Sequence, residues 1–245
     1  MKDIALALAF APVAPLMLWQ GRRVRRVTPV LPAAAGPQSG SIGGAHGAQL
    51  KLLVFGESTA AGVGARHHEE ALAGHLASAI SGRTSGKVDW SVCALSGATV
   101  KTAHESLLAN VPNSPHDLIV LVFGVNDTLE HTRPARFAAR MTDLIADLRA
   151  RVGKAPVLLA APPPMERFPA LPHPLAAYLG ARAALLRRAL GALSLPAVAQ
   201  VEVRIPITPD LFARDLFHPS ARGYSVWAEA LATAAFAHHP LLARP

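Results

Sequence analysis

Five short apolar runs, separated by longer segments with helical periodicity, constrain the fold of this chain more than any other feature. The runs cover residues 50–55, 88–95, 118–123, 157–160 and 197–203. Most of them are continuous rather than alternating, which is typical of strands that are covered on both faces of a sheet. Strands that alternate with helices are parallel and are joined by right-handed crossovers. The pattern therefore predicts an α/β fold, a three-layer α/β/α sandwich around a five-stranded parallel sheet.

The segments between the runs have the spacing of helices that pack on one face. The predicted helices cover residues 68–81, 100–108, 135–151, 175–193 and 220–237. Two of them follow directly after a proline, where the missing N–H has no helical partner to lose. With 51% apolar and 16% charged residues, the chain is predicted to fold rather than stay disordered. We predict one folded domain over residues 49–240.

The first 27 residues combine an apolar run with a basic cluster. The run, residues 4–19, contains two prolines and would span about 24 Å as a helix, less than a ~30 Å hydrocarbon core. It is followed by a group of arginines next to Trp19, which is typical of an interfacial anchor on anionic head groups. The group consists of Arg22, Arg23, Arg25 and Arg26. We interpret residues 1–27 as a membrane anchor, with an apolar arm packed on the domain or on a partner subunit as the alternative.

The charge and composition of this region lead to three further predictions. The positive-inside rule would place the arginines and the following domain in the cytoplasm or at the cytoplasmic face of the inner membrane, with the periplasm as the alternative. Nucleic acid is not expected as a partner, because no basic strand is rich in aromatic residues and no zinc-finger spacing is present. Residues 28–48, rich in Pro, Gly, Ala and Ser, are predicted to be a linker or an irregular strap.

Chemically useful side chains follow four of the predicted elements. In parallel sheets such groups collect on loops beyond the carboxyl ends of the strands. Ser58 and Gly97 follow the first two apolar runs, Asn126 follows the third, and Asp215 with His218 precedes the last helix. Each residue alone also has an ordinary structural interpretation, as a helix cap, a turn residue or a surface ion pair. Their joint occurrence, each after its own element, favours a shared site.

These residue types supply the parts of an acyl-transfer site. A serine hydroxyl is a weak nucleophile near pH 7 and needs a neighbouring base such as His218 to remove its proton. Asp215, three residues before the histidine, can orient the imidazole and stabilise its charged form. The amide of Asn126 can donate hydrogen bonds to a developing oxyanion, where one such donor is worth about 2.7–4 kcal/mol.

The chain resembles the SGNH hydrolases, also called GDSL-type lipases and esterases. The resemblance rests on Gly56-Glu57-Ser58, Gly97, Gly124-Val125-Asn126-Asp127 and Asp215-Leu216-Phe217-His218-Pro219, in family order over residues 50–238. It implies a flavodoxin-like fold and hydrolysis of esters or thioesters with neither cofactor nor metal.

By this resemblance, Ser58 is the nucleophile, His218 the base and Asp215 its orienting acid. The backbone N–H groups of Ser58 and Gly97, with the Asn126 side chain, would form the oxyanion hole. Glu57 departs from the family pattern, which usually has aspartate there, and its longer side chain is expected to bond elsewhere.

The segment 161–172 is the main sequence clue to the substrate. It is apolar, rich in proline and longer than the ~2–6 residues typical of such connections. We predict that Met165, Phe168 and Leu171 form one wall of an acyl pocket, for small or lipid-like esters. The alternative function is a non-catalytic membrane- or nucleic-acid-binding protein that retains the hydrolase fold.

Overall fold

The computed structural model describes residues 2–44, 49–202 and 208–239. Its sheet has six strands in the order β1-β3-β2-β4-β5-β6, and all neighbours pair in parallel except β1 and β3. The strands are β1 (Ser39–Ile42), β2 (Gln49–Gly56), β3 (Lys87–Ala94), β4 (Leu118–Val122), β5 (Val157–Ala160) and β6 (Val198–Val201). Residues 203 and 240, the predicted ends of the last run and of the domain, lie outside the described residues.

Eight α-helices are present in the described part of the chain. They are α1 (Lys2–Phe10), α2 (Ala14–Val27), α3 (Leu72–Thr84), α4 (Val100–Leu107), α5 (Val125–Leu129), α6 (Pro134–Val152), α7 (Leu175–Gly191) and α8 (Ala221–His238). The predicted helices match α3, α4, α6, α7 and α8 within a few residues. The start of the first one, residues 68–70, is instead a separate 3₁₀ turn. The short helix α5 was not predicted.

The apolar runs are continuous because the sheet is buried on both faces. In β2, Leu52 and Val54 pack into a core that also contains α3 and α8. Leu53 and Phe55, which point to the opposite face, pack into a second core with α4 and α6. All four side chains are at most 1% exposed. The predicted three-layer α/β/α architecture is thereby confirmed.

The strand count and the linker were predicted wrongly. Residues 39–42, within the predicted linker 28–48, form the sixth strand and pair antiparallel with β3 at the edge of the sheet. Its sequence, Ser-Gly-Ser-Ile, has no apolar run to reveal it. Gly40 is required there, because a Cβ atom at this position would lie 2.6 Å from the Trp90 ring. The segment therefore belongs to the folded domain rather than separating it from the first helices.

The first helices form a bent arm, defined here as residues 2–27, that packs against α7. A 3₁₀ turn over Ala11–Val13 separates α1 from α2 where Pro12 removes a helical N–H. One helical stretch, Asp3–Val27, is long and apolar enough to cross a membrane, with a mean hydropathy of 1.6 in its most apolar window of 18 residues. Only 11% of that window is buried in the protein.

Candidate active site

Ser58, His218 and Asp215 form a continuous chain of hydrogen bonds. His218 Nε2 lies 3.0 Å from Ser58 Oγ, and His218 Nδ1 lies 2.6 Å from Asp215 Oδ2. Because Nδ1 faces a carboxylate, it must carry the proton, which leaves Nε2 as the acceptor for the serine hydroxyl. The structure thus brings together Ser58 and His218, which are 160 residues apart in the sequence.

Two hydrogen bonds fix the position of the serine loop relative to β4 and to the helix that follows His218. Ser58 follows the end of β2, where Glu57 N–H donates to Val122 O at 3.0 Å and continues the pairing with β4. The fully buried Tyr224, in α8, donates its hydroxyl to Val63 O at 2.7 Å, which ties the serine loop to the helix that follows His218. The distance between the hydroxyl and the imidazole is therefore set by rigid elements.

Asp215 is held as an ionised acceptor. Its Oδ1 accepts the backbone N–H groups of Phe217 and His218 at 3.0 Å each. Burial acts to raise its pKa, but these bonds and the His218 side chain lower the pKa below the ordinary value. The carboxylate is therefore available to orient the imidazole throughout the neutral range.

Two backbone N–H groups next to the serine are free to bind an oxyanion. Within the described ranges, neither the Ser58 nor the Gly97 N–H has an acceptor in the protein. The loop with Gly97 lies beside Ser58, because Leu95 N–H donates to Gly56 O at 3.1 Å. Free N–H groups at adjacent strand ends are what a tetrahedral intermediate requires.

The Asn126 side chain is close to these loops, but its amide hydrogens are already engaged. Asn126 Nδ2 donates to Glu57 Oε2 at 2.6 Å and to Ala98 O at 3.2 Å. Both neighbours are acceptors, so the amide nitrogen must face them. Donation to an oxyanion would therefore exchange one of these bonds, and the longer bond to Ala98 is the weaker one.

Glu57 is a buried residue of the serine loop that sequence reasoning left without a role. Its carboxylate is 2% exposed and accepts Val125 N–H and Asn126 N–H at 3.0 Å each, besides the Asn126 side chain. The longer side chain of Glu57 was expected to bond elsewhere than an aspartate would. It holds the start of α5 and, with it, Asn126, the predicted oxyanion donor. We identify Glu57 as a positioning residue for Asn126.

The protonation state of Glu57 depends on pH near neutrality. Burial raises its pKa from 4.5 to about 7, although the hydrogen bonds from Asn126 and Val125 favour the charged form. The carboxylate is thus fully available as a triple acceptor only above about pH 7. Below that pH a protonated carboxyl must turn one oxygen into a donor and give up part of its hold on Asn126.

Glu57→Gln is expected to lower kcat for p-nitrophenyl acetate by about tenfold to a hundredfold, with KM changed less than about threefold. The amide nitrogen cannot accept one of the three hydrogen bonds. The acidic limb of the kcat–pH profile is also expected to become less steep, because the variant loses a group with a pKa of about 7. Glu105→Gln, on an exposed face of α4, is the matched control. An unchanged kcat and an unchanged limb would contradict the role of Glu57.

An apolar cavity of about 400 Å³ opens beside Ser58 and His218. It lies over the carboxyl ends of β4, β5 and β6. Its apolar lining includes Ala160, Ala161, Pro162, Phe168, Phe212 and Trp227. Pro162 can pack on the third loop because Gly124 has no side chain there, since a Cβ atom would lie 2.5 Å from the proline ring.

Of the three residues predicted to form the pocket wall, Phe168 lines this cavity, whereas Met165 and Leu171 do not. Phe168 lines the cavity and packs edge-on against Phe217, next to His218, with ring centroids 5.1 Å apart. Met165 is fully buried behind the wall and Leu171 is 8% exposed. The 3₁₀ turn Met165–Arg167 rotates the methionine onto α7, so the prolines that precede it take its place in the lining.

No group of three or more His, Cys, Asp or Glu side chains that could hold a metal ion occurs among residues 2–44, 49–202 and 208–239.

Comparisons with known proteins identify the family of this chain. The family model of the GDSL-like Lipase/Acylhydrolase family matches residues 54–226. A GDSL-like esterase from Mycobacterium tuberculosis is 30% identical over 191 residues, which cover 74% of this chain and 60% of that protein. The chain thus spans about 60% of the length of this curated relative.

Solved structures share the fold at low sequence identity. A lipase from a goat rumen metagenome superposes with a TM-score of 0.59 at 19% identity, covering 76% of this chain and 98% of that one. The lipase/acylhydrolase from Enterococcus faecalis has a TM-score of 0.50 at 20% identity, covering 76% of this chain and 95% of that one. The chain belongs to the GDSL-like lipase/acylhydrolase family.

Proposed function

We propose that this protein is a serine esterase that hydrolyses carboxylic esters or thioesters through an acyl-enzyme on Ser58. The observation that carries the proposal is the hydrogen-bonded chain from Ser58 through His218 to Asp215, with distances of 3.0 and 2.6 Å. Family membership supports ester hydrolysis in general terms. A protein that had kept only the fold, the predicted alternative, would have no reason to keep this alignment.

In the first half of the reaction, Ser58 Oγ attacks the carbonyl carbon and its proton moves to His218 Nε2. The negative charge that develops on the carbonyl oxygen is stabilised by the free N–H groups of Ser58 and Gly97. Asn126 adds a third donor when its Nδ2 exchanges the bond to Ala98 O. The imidazolium, stabilised by Asp215, then protonates the leaving alkoxide or thiolate as the bond to carbon breaks.

In the second half, water replaces the leaving group. Nε2 of His218 accepts a proton from the water as its oxygen attacks the acyl carbon. The second tetrahedral intermediate collapses, the ester bond to Ser58 Oγ breaks, and the proton returns to the hydroxyl. The products are a carboxylic acid and the unchanged enzyme, so the cycle balances without a cofactor.

The cavity supports an apolar acyl group as the substrate part that is bound. Pockets of 300–1,000 Å³ with apolar walls are typical of small-ligand sites, and this one, about 400 Å³, lies directly beside the proposed nucleophile. Most of its lining residues are apolar, including Phe123, Phe168, Phe212, Phe217 and Trp227, which favours acyl chains over sugars. The charged side chains of Glu166, Arg167, Arg187 and Glu202 also line it.

Filling the cavity is expected to change chain-length preference. The purified chain should hydrolyse p-nitrophenyl acetate and octanoate, and Ala161→Phe should lower kcat/KM for the octanoate at least about tenfold. The acetate should change less than about threefold, because the added ring occupies space that a two-carbon acyl group does not need. Ala150→Phe, on an exposed face of α6, is the control. Equal losses on both esters would argue against the cavity as the acyl site, and no hydrolysis of either ester would refute the esterase.

The arginines at the end of the arm are proposed to contact an anionic membrane surface. Arg22, Arg23, Arg25 and Arg26 are all exposed, and they follow directly on the apolar part of the arm. Each such charge contributes about 1 kcal/mol near an anionic leaflet. The cytoplasmic side of the membrane stays a prediction from sequence.

A further inference from the structure

We propose that the arm, residues 2–27, binds the membrane in its plane rather than crossing it, with both ends held on the catalytic domain. This inference extends the membrane contact proposed above and does not depend on the esterase chemistry. It rests on three observations. The inward face of the arm is attached to the domain, the outward face is exposed, and the two attachments lie close to the same helix, α7.

The inward face of the arm is attached at both ends. Near its start, Asp3 Oδ1 lies 3.5 Å from Arg182 Nη1 of α7, a guanidinium whose side chain is only 7% exposed. Near its end, Gln20 Nε2 donates to His173 O at 2.7 Å, and Gln20 Oε1 accepts Leu175 N–H at 3.2 Å. Two polar anchors therefore flank the apolar run.

Apolar contacts fix the arm between these anchors. Phe10 packs against Tyr178 of α7, with ring centroids 5.3 Å apart. Met17, 8% exposed, belongs to the same core cluster as Met165 and the pocket residue Phe168. The arm is thus a packed element next to the cavity wall rather than a free leader.

Both attachments lie on α7 or immediately before it, so they lie on one side of any membrane. A helix that crossed the bilayer would have to carry either Asp3 or Gln20 to the opposite side, across about 30 Å of hydrocarbon. Moving Asp3 away would leave Arg182 with a buried, uncompensated charge, which is strongly destabilising. An arm that keeps both attachments therefore lies on one side of the membrane.

The outward face of the arm is apolar and has no cover in the described structure. Ten large hydrophobic side chains are exposed among the described residues, and six of them are concentrated in the arm. They are Ile4, Leu8, Leu16, Leu18, Trp19 and Val27. A protein surface in water rarely concentrates large apolar side chains in this way unless it binds something.

The charges beside this face identify the occupant as an anionic bilayer. The Arg23 guanidinium lies 5.6 Å from the Trp19 ring, so the basic group begins where the apolar face ends. In the described ranges none of the four arginines forms a salt bridge with an acid. A second copy of the chain would bring like charges together, whereas phosphate head groups complement them.

Vesicle flotation tests the contact itself. The full chain is expected to float with vesicles of phosphatidylcholine and phosphatidylglycerol, and much less with phosphatidylcholine alone. The triple variant Leu8→Gln, Leu18→Gln, Trp19→Gln should lose at least about tenfold in binding. Val30→Gln, which replaces an apolar side chain 92% exposed outside the arm, is the control and should bind as wild type. Absence of flotation, or a stable dimer with no vesicle binding, would overturn the proposal while leaving the esterase untouched.

Depth-dependent quenching tests the orientation. A fluorophore is attached at Leu16→Cys in a Cys93→Ala background and quenched by lipids brominated at different acyl positions. An arm in the membrane plane should be quenched most by bromine close to the head groups. Strongest quenching by bromine at the chain ends would mean a spanning helix, and it would overturn the in-plane orientation even if the protein floats.

Discussion

Replacing Ser58 with alanine is expected to lower kcat for p-nitrophenyl acetate by about 10⁵- to 10⁶-fold. The hydroxyl lies beside the free N–H groups of Ser58 and Gly97, and its one side-chain hydrogen bond among the described residues is to His218. Because the variant removes one oxygen without disturbing core packing, the melting temperature should change little. Steady-state kinetics and thermal melting by circular dichroism measure the two effects.

Ser106→Ala is the matched control for this experiment. Ser106 is exposed on α4 and donates only to Thr102 O, so its loss should leave kcat within about twofold. If Ser58→Ala kept more than about a tenth of the wild-type kcat, the nucleophile would have to be another group.

Asp215→Asn is expected to lower kcat by about 10⁴-fold with a small effect on KM. The amide keeps an oxygen for the N–H groups of Phe217 and His218, so the loop can retain its shape. The amide nitrogen, however, is a hydrogen-bond donor, whereas the carboxylate oxygen that it replaces accepted the hydrogen bond from His218 Nδ1. His218 Nδ1 must then lose its proton, and the proton on Nε2 points at Ser58, which is the wrong tautomer for a base.

Asp215→Asn also tests whether the ionised carboxylate of Asp215 stabilises the fold. The lowered pKa of Asp215 means that its ionised form stabilises the fold at pH above the ordinary value of 3.8. This contribution is lost as pH falls through the lower, folded-state pKa. The melting temperature of Asp215→Asn should therefore lie below that of wild type at pH 7, and the difference should shrink at pH values below 3.8.

A surface pair in the same chain provides the control for Asp215→Asn. His104 Nε2 lies 2.8 Å from Asp147 Oδ2, but Asp147 is 56% exposed, and in the described part of the chain the His104 side chain has no hydrogen bond to a serine. Asp147→Asn should leave kcat within about twofold. Equal losses from the two variants would show that a His–Asp bond in general, and not this site, affects the enzyme.

The parts of the fold that could be predicted are those whose buried residues form a recognisable apolar pattern in the sequence. β2, β4 and β5 are covered on both faces and read as apolar runs, as Leu53 and Phe55 illustrate on one face of β2. β1 lies at the edge of the sheet with small residues, and only its pairing with Trp90 and its neighbours makes it a strand. No local pattern in residues 39–42 carries that information.

Some residues of the site could likewise be predicted from the sequence, and others could not. Ser58, Asp215 and His218 could be predicted because each chemical role demands one residue type after one element. The role of Glu57 depends on Val125 and Asn126, which are 68 and 69 residues away and become neighbours only through the pairing of β2 with β4. Met165 was misplaced because the 3₁₀ turn that rotates it has no clear signal in a proline-rich segment.

Covalent labelling of Ser58 is the most direct test of the proposed chemistry. The full chain is treated with a fluorophosphonate and digested with trypsin, and peptide 52–66, which contains Ser58, is analysed by mass spectrometry. We expect one phosphonyl group per chain on Ser58, labelling that is strongly slowed in Asp215→Asn and absent in Ser58→Ala. An active enzyme that carries the label on another residue, or that turns over esters at full rate while Ser58 remains unlabelled, would contradict the proposed mechanism.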